Sequence, residues 1–219
     1  MTLLYSYEYL RGTMKEKTRE RYADVTDFLT KRIAPVFIRI FQIEEEDRDL
    51  YYLGIEVIVN TIITAMAVLF AGILLHNFWG ALLFLVCFAN VRSYSGGYHS
   101  KTRLRCFVVT MLCYLCTYVV MRGMLCLNGT WQTVIVAFGI LATLFVFAKY
   151  VPVDNPNKRI MDELRQRNRT LAFFWLIVWL FISGFFMLFY RYEHAMQIWA
   201  TTIVIAVLLW LARRERCTK

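Results

Sequence analysis

Beyond a polar first 50 residues, the chain is a succession of apolar runs at about 54–75, 77–91, 104–122, 130–149, 171–190 and 195–212. Most are near the roughly 20 residues that cross about 30 Å of hydrocarbon as a helix. The 77–91 run is short, so it is either a tight span or a partly re-entrant segment; a full span is the reading under which the charges sort. Within residues 1–50, Tyr22, Val25, Phe28, Leu29, Ile33, Val36, Phe37 and Ile40 recur at three- and four-residue steps. Arg19, Arg21, Asp24, Asp27, Lys31 and Arg32 fill the other face. This pattern predicts an amphipathic helix, broken or kinked at Pro35. Such a helix lies in the membrane interface or packs on the membrane domain. Glu44-Glu45-Glu46-Asp47 reads as a solvated turn.

The predicted fold class is therefore all-α: a polytopic membrane protein with six transmembrane helices and an N-terminal interfacial helix. Its expected parts are a segment 1–50, a six-span domain 51–212 holding a polar connection 92–106, and a basic tail 213–219. Composition agrees, with 59% hydrophobic residues and a mean hydropathy of +0.48, where soluble domains are nearer half apolar. The net charge of +9 does not point to nucleic acid, because the cations flank apolar spans. Of the 25 Lys and Arg, all but Arg122 and Arg191 fall on one side of a six-span topology, which places both termini in the cytoplasm. The N-terminus lacks the ordered basic, apolar and cleavage regions of a secretory signal. The six cysteines, at 87, 106, 113, 116, 126 and 217, suggest no disulfide framework. Cys113 and Cys116 form a CxxC inside an apolar span without a second pair, and read as packing residues.

The connection from Arg92 to Cys106 adds candidate chemistry to this scaffold. It carries Gly96-Gly97, His99, Cys106 and the four cations Arg92, Lys101, Arg103 and Arg105, where a membrane hairpin needs only a short turn. The topology puts His76 and His194 on the other side and leaves His99 beside Cys106. A zinc site takes three or four His, Cys or carboxylate ligands and this connection offers two, so neither a metal nor another cofactor is expected. On one continuous helix His99 and Cys106 would share a face but stand about 10 Å apart, too far for proton transfer. Pairing them requires Cys106 in the first turns of the third span with the preceding segment folded back. Gly96 and Gly97 supply the positive-φ freedom for that fold.

A helix N-terminus and nearby cations favour a thiolate, and His99 can take the thiol proton. A thiolate–imidazolium pair is an acyl-transfer nucleophile, and amides left free in the same turn are candidate oxyanion donors. No acid in the connection orients His99; Glu56, at the start of the first span, is the best-placed third member. Ser95 beside Gly96-Gly97 is a competing nucleophile with no second histidine on its side. A headgroup-contacting histidine and a structural cysteine are the reading without chemistry.

The run from Arg92 through Gly97-Tyr98-His99 to Cys106, with an Arg seven residues before the His and the Cys seven after it, resembles the accessory gene regulator B family. These are membrane peptidases that process quorum-sensing peptide precursors. Leu53-Gly54-Ile55-Glu56 and Val151-Pro152-Val153-Asp154-Asn155-Pro156-Asn157-Lys158-Arg159 are also of the family type. Two points depart from a simple match: relatives often carry Lys-Pro where this chain has Lys158-Arg159-Ile160, and the Glu56 position can be an amide, which argues against an essential carboxylate there.

The resemblance implies that His99 deprotonates Cys106, which cleaves a short precursor and keeps the retained part as a thioester until an internal cysteine or serine closes a thiolactone or lactone. It implies a partner peptide with an amphipathic leader and an acidic C-terminal tail. Arg92, Gly96, Gly97, Lys101, Arg103, Lys158 and Arg159 are then motif and substrate-binding residues. The site lies at the cytoplasmic face of a multi-pass protein in the bacterial cell membrane, with the bilayer as a second partner and a homodimer as the expected assembly. The runner-up is a peptide transporter or exporter without proteolysis, although Glu56 is the one acid in the spans, where ionisable groups mark transport paths. A purely structural protein, in which nothing is cleaved, is the third class.

Overall fold

The computed structural model describes residues 32, 35, 48–96, 103–153 and 162–217. Six helices account for nearly all of these: α1 Arg48–Leu74, α2 Phe78–Ser95, α3 Arg103–Leu125, α4 Gly129–Tyr150, α5 Asp162–Leu188 and α6 Tyr192–Cys217. All six are long and apolar enough to span a membrane, and no strand occurs among the described residues. The expected all-helical, six-span fold is therefore what the chain adopts. Of the predicted amphipathic segment, Arg32 and Pro35 are described, and both are helical and exposed; the rest lies outside the described residues.

The chain divides into two compact units, Met1–Ile63 and Thr64–Lys219, with α1 running across the boundary. In the first, Ile55 and Val59 are buried with Tyr52 and Ile63 beside them, a stripe at the three- and four-residue spacing of one helix face. Glu56 is buried on the same helix.

The second unit is built around α6, which packs against α2, α3, α4 and α5. Two-thirds of its span (67%) is buried inside the protein, against 17% of α4. Small residues make this possible: Ala195, Ala200, Thr201, Thr202 and Ala206 are all buried, and small side chains let helix backbones approach closely. The bulkier core lies where α2 meets α3, with Phe84 against Phe88 at 5.1 Å and against Tyr114 at 5.4 Å between ring centroids.

Contacts show which helix ends lie together. At one end the Asn77 amide donates to Gln197 Oε1 (3.3 Å), and Gln197 Nε2 donates to the Thr117 hydroxyl (2.8 Å). Ser183 donates to the Ala195 carbonyl and Trp199 Nε1 to the Val136 carbonyl. Arg122, one of the two off-side cations, faces Glu193 at 3.9 Å here. At the other end Ser95 of α2 meets Val153 just beyond α4, and the ends of α4 and α6 line a pocket with the start of α5. Within this unit the described cations other than Arg122 and Arg191 lie near the ends of α2, α4 and α6 and the starts of α3 and α5, which form a second, basic end.

The α2 helix resolves the short second run into a full span. Its 18 residues measure about 27 Å, and they form one unbroken helix from the Asn77 end to the basic end. It extends past the apolar run because Arg92 to Ser95 continue the helix. The α5 helix likewise begins before its apolar run, at Asp162, since Leu164, Arg165, Gln166 and Arg167 are good helix formers.

Gln197 is fully buried and joins α6 to α3 and to the α1–α2 turn. Gln197→Leu is expected to lower stability by about 1–2 kcal/mol, the upper range for interhelical polar contacts in membranes. Equilibrium unfolding in mixed micelles measures it; Gln132→Leu, at a half-buried site on α4, serves as the comparison and should change stability less.

Candidate functional site

The polar connection is partly helical. Arg92, Ser93, Tyr94 and Ser95 form the last turn of α2, and Arg103 to Cys106 the first turn of α3. Arg92 lies where a cation complements the negative end of the helix dipole, with its guanidinium 5.0 Å from the Phe88 ring centroid. The helix stops at Gly96, whose φ of 72° and ψ of −147° belong to a region open essentially to glycine alone.

This stop is held from outside. The Val153 N–H donates to the Ser95 carbonyl at 3.0 Å, and Gly96 and Val153 form a parallel bridge. A Cβ on Gly96 would run into the Val153 carbonyl oxygen. Val151, Pro152 and Val153 are buried, and the Val151 N–H closes the end of α4 on the Phe147 carbonyl. The two polar connections singled out in the sequence, one holding Gly96 and the other Val151 to Arg159, are therefore joined in space.

Cys106 sits in the first turn of α3, half-buried, and its carbonyl accepts a bond from the Thr110 hydroxyl at 2.9 Å. Arg105 beside it is exposed. Gly97, His99, Lys101, Lys158 and Arg159 lie outside the described residues, and Arg103 is described only as part of the α3 backbone. Ser95 is fully buried and its hydroxyl turns to the Gly96 carbonyl. His76 and His194 both lie at the Asn77 end, His194 packed on Phe186, so the α3 start has neither of them near. Among the described residues no three His, Cys, Asp or Glu side chains come together as metal ligands.

A feature that sequence reasoning missed lies at the same basic end. A pocket of about 480 Å³ is lined by Lys149, Tyr150, Val151, Pro152, Val153, Arg165, Gln166, Arg169 and Arg213. The spacing of Arg165 and Arg169, four apart on α5 and thus on one face, was the available signal. Nothing in the sequence pairs that face with Lys149 or Arg213.

The cysteines give a direct check on which side chains are reachable. Cys87 and Cys113 are buried, Cys106 is half-buried, and Cys126 is exposed in the α3–α4 turn at the opposite end. In oriented vesicles a membrane-impermeant maleimide is expected to label Cys106 from one side only and Cys126 from the other, leaving Cys87 and Cys113 unmodified until the protein is denatured. Mass spectrometry of the digested chain reads each site.

The family model described as Accessory gene regulator B matches the chain over residues 30–212. Two relatives from Clostridium perfringens, an AgrB-like protein of strain SM101 and an AgrB-like protein 2 of strain 13, are each 25% identical over 142 residues. These matches cover 64% of this chain and 66% of each relative, just under two-thirds of their length. No solved structure matches the chain.

Proposed function

The chain belongs to the accessory gene regulator B family, and from that premise we propose that it is a membrane cysteine endopeptidase that cuts and cyclises a short autoinducing-peptide precursor. The observation that carries this reading is Cys106 in the first turn of α3, at the end of the bundle where the Ser95–Val153 bond joins the two polar connections. The first turn of a helix leaves backbone N–H groups without intrahelical partners, and such groups are candidate donors to an oxyanion formed beside Cys106.

In the proposed reaction His99 takes the Cys106 proton, and Sγ attacks the carbonyl carbon of a peptide bond at the C-terminal side of the future ring. The C–N bond breaks, His99 returns the proton to the leaving amine, and the retained part stays as a thioester on Cys106. A cysteine thiol or serine hydroxyl of the peptide then attacks that thioester. Its proton passes to the Cys106 sulfur, and a thiolactone or lactone is released. The second step is near isoenergetic for a thiol; the first is uphill, so loss of the C-terminal fragment drives the sequence. Arg92, Lys101, Lys158 and Arg159 hold the acidic tail of the precursor by charge-assisted hydrogen bonds. The basic end faces the cytoplasm of a bacterial cell.

The test is to incubate the purified protein in lipid with a precursor peptide and follow both by mass spectrometry. A released C-terminal fragment, a peptide–protein thioester and a ring product are expected. Precursor that crosses the membrane intact, with no fragment at any time, would replace this reading by transport.

A further inference from the structure

The basic pocket lies between the end of α4, the start of α5 and the end of α6. Its described lining holds four cations, Lys149, Arg165, Arg169 and Arg213, and no carboxylate. Three of them are positioned by contacts that leave their charge in place. Arg169 Nη2 donates to the Ala148 carbonyl at 3.1 Å, the Arg213 guanidinium stands 5.0 Å from the Tyr150 ring centroid, and Lys149 Nζ is 5.6 Å from the same centroid. Carbonyl and ring faces orient these groups without neutralising them as a carboxylate would.

The pocket's level along the bundle identifies the anion. The apolar spans end at Tyr150 and Arg214 and begin at Leu164, so lining residues from all three helices sit at the margin of the hydrocarbon. A phosphate-bearing lipid headgroup occupies that depth, and basic pockets between transmembrane helices hold such headgroups. The volume of about 480 Å³ lies within the range of small-molecule sites. The geometry points to a site for the phosphodiester headgroup of an anionic membrane lipid, bound by Arg165, Arg169, Arg213 and Lys149. One wall of that site is Val151–Val153, the segment bonded to Ser95. Lipid in the pocket therefore buttresses the connection that precedes α3.

The site is independent of the peptidase reading, because binding is measured without substrate. Native mass spectrometry of the full chain, released from nanodiscs of phosphatidylglycerol and phosphatidylcholine, reads retained lipid. The wild-type protein is expected to retain phosphatidylglycerol over phosphatidylcholine by about tenfold or more. R165Q/R169Q/R213Q should remove most of that preference, and R165Q/R213Q, which keeps the Arg169 bond to α4, should reduce it in a protein of unchanged thermal stability. R165K/R169K/R213K should retain it, and R122Q, at the opposite end, should not alter it. Preference that persists in both Gln variants of the pocket overturns the proposal. Inorganic phosphate that displaces the lipid at millimolar concentration makes the site one for a free anion and overturns the lipid assignment. So does an octaglutamate peptide that binds in a manner sensitive to R165Q/R213Q where phosphatidylglycerol does not.

Discussion

Cys106→Ala is expected to abolish both precursor cleavage and the covalent peptide–protein species, lowering the rate by about 10,000-fold or more, to background. The size follows from covalent catalysis: without the thiol no acyl-enzyme forms, and nothing else in the first turn of α3 can replace it. His99→Ala should fall to a similar level, because nucleophile and base act as a unit and their losses do not add. Cys113→Ala and Cys116→Ala, two and three turns further along α3 with one side chain buried and the other exposed, should leave cleavage near wild type. His76→Ala, at the opposite end of the bundle, should do the same. Cleavage persisting in Cys106→Ala would sink the mechanism, whatever the effect on yield. Cys106→Ser provides a second variant that is closer in volume, for which folding is the smaller concern.

Gly96→Ala is expected to produce the second large effect, a loss of about 1–3 kcal/mol from backbone strain added to loss of the Ser95–Val153 contact. The two causes are separate. The φ of 72° disfavours any Cβ, and the Cβ itself would meet the Val153 backbone, which cannot rotate away as a side chain could. Cleavage should fall with stability, because the connection leading to α3 loses its anchor on the segment after α4. Gly123→Ala makes the contrast: a Cβ there meets nothing within 4 Å, and alanine in a helix is favoured over glycine by up to about 1 kcal/mol. Thermal unfolding of the two variants side by side measures the difference. A Gly96→Ala protein as stable and active as the parent would mean that the bond between the two connections does not position the site.

Much of the molecule was legible before any fold was known, and the parts that were not share a cause. The length of each apolar run identified six spans, and the side on which the cations fall predicted which helix ends meet. Cys106 stands in the first turn of α3, the position that pairing it with His99 required. By contrast, the sequence shows Val153 and Ser95 nearly 60 residues apart, with no pattern that would pair them. Lys149, Arg165, Arg169 and Arg213 served in the sequence only as markers of orientation. Their convergence on one pocket needs α4, α5 and α6 to be packed first.

The number of spans and the sorting of charge are written along the chain, because crossing a bilayer depends on contiguous apolar length and flanking cations, both local properties. Tertiary structure alone decided which helix is central. The spans of α4 and α6 are equally apolar, yet one is mostly exposed and the other mostly enclosed. Hydropathy cannot distinguish them, since a lipid tail is as apolar as a leucine and helices gain no hydrophobic energy by leaving lipid for protein. Close packing of small residues and the buried bonds of Gln197 made that choice. The same packing brought Val153 to the end of α2 and the four cations to one pocket.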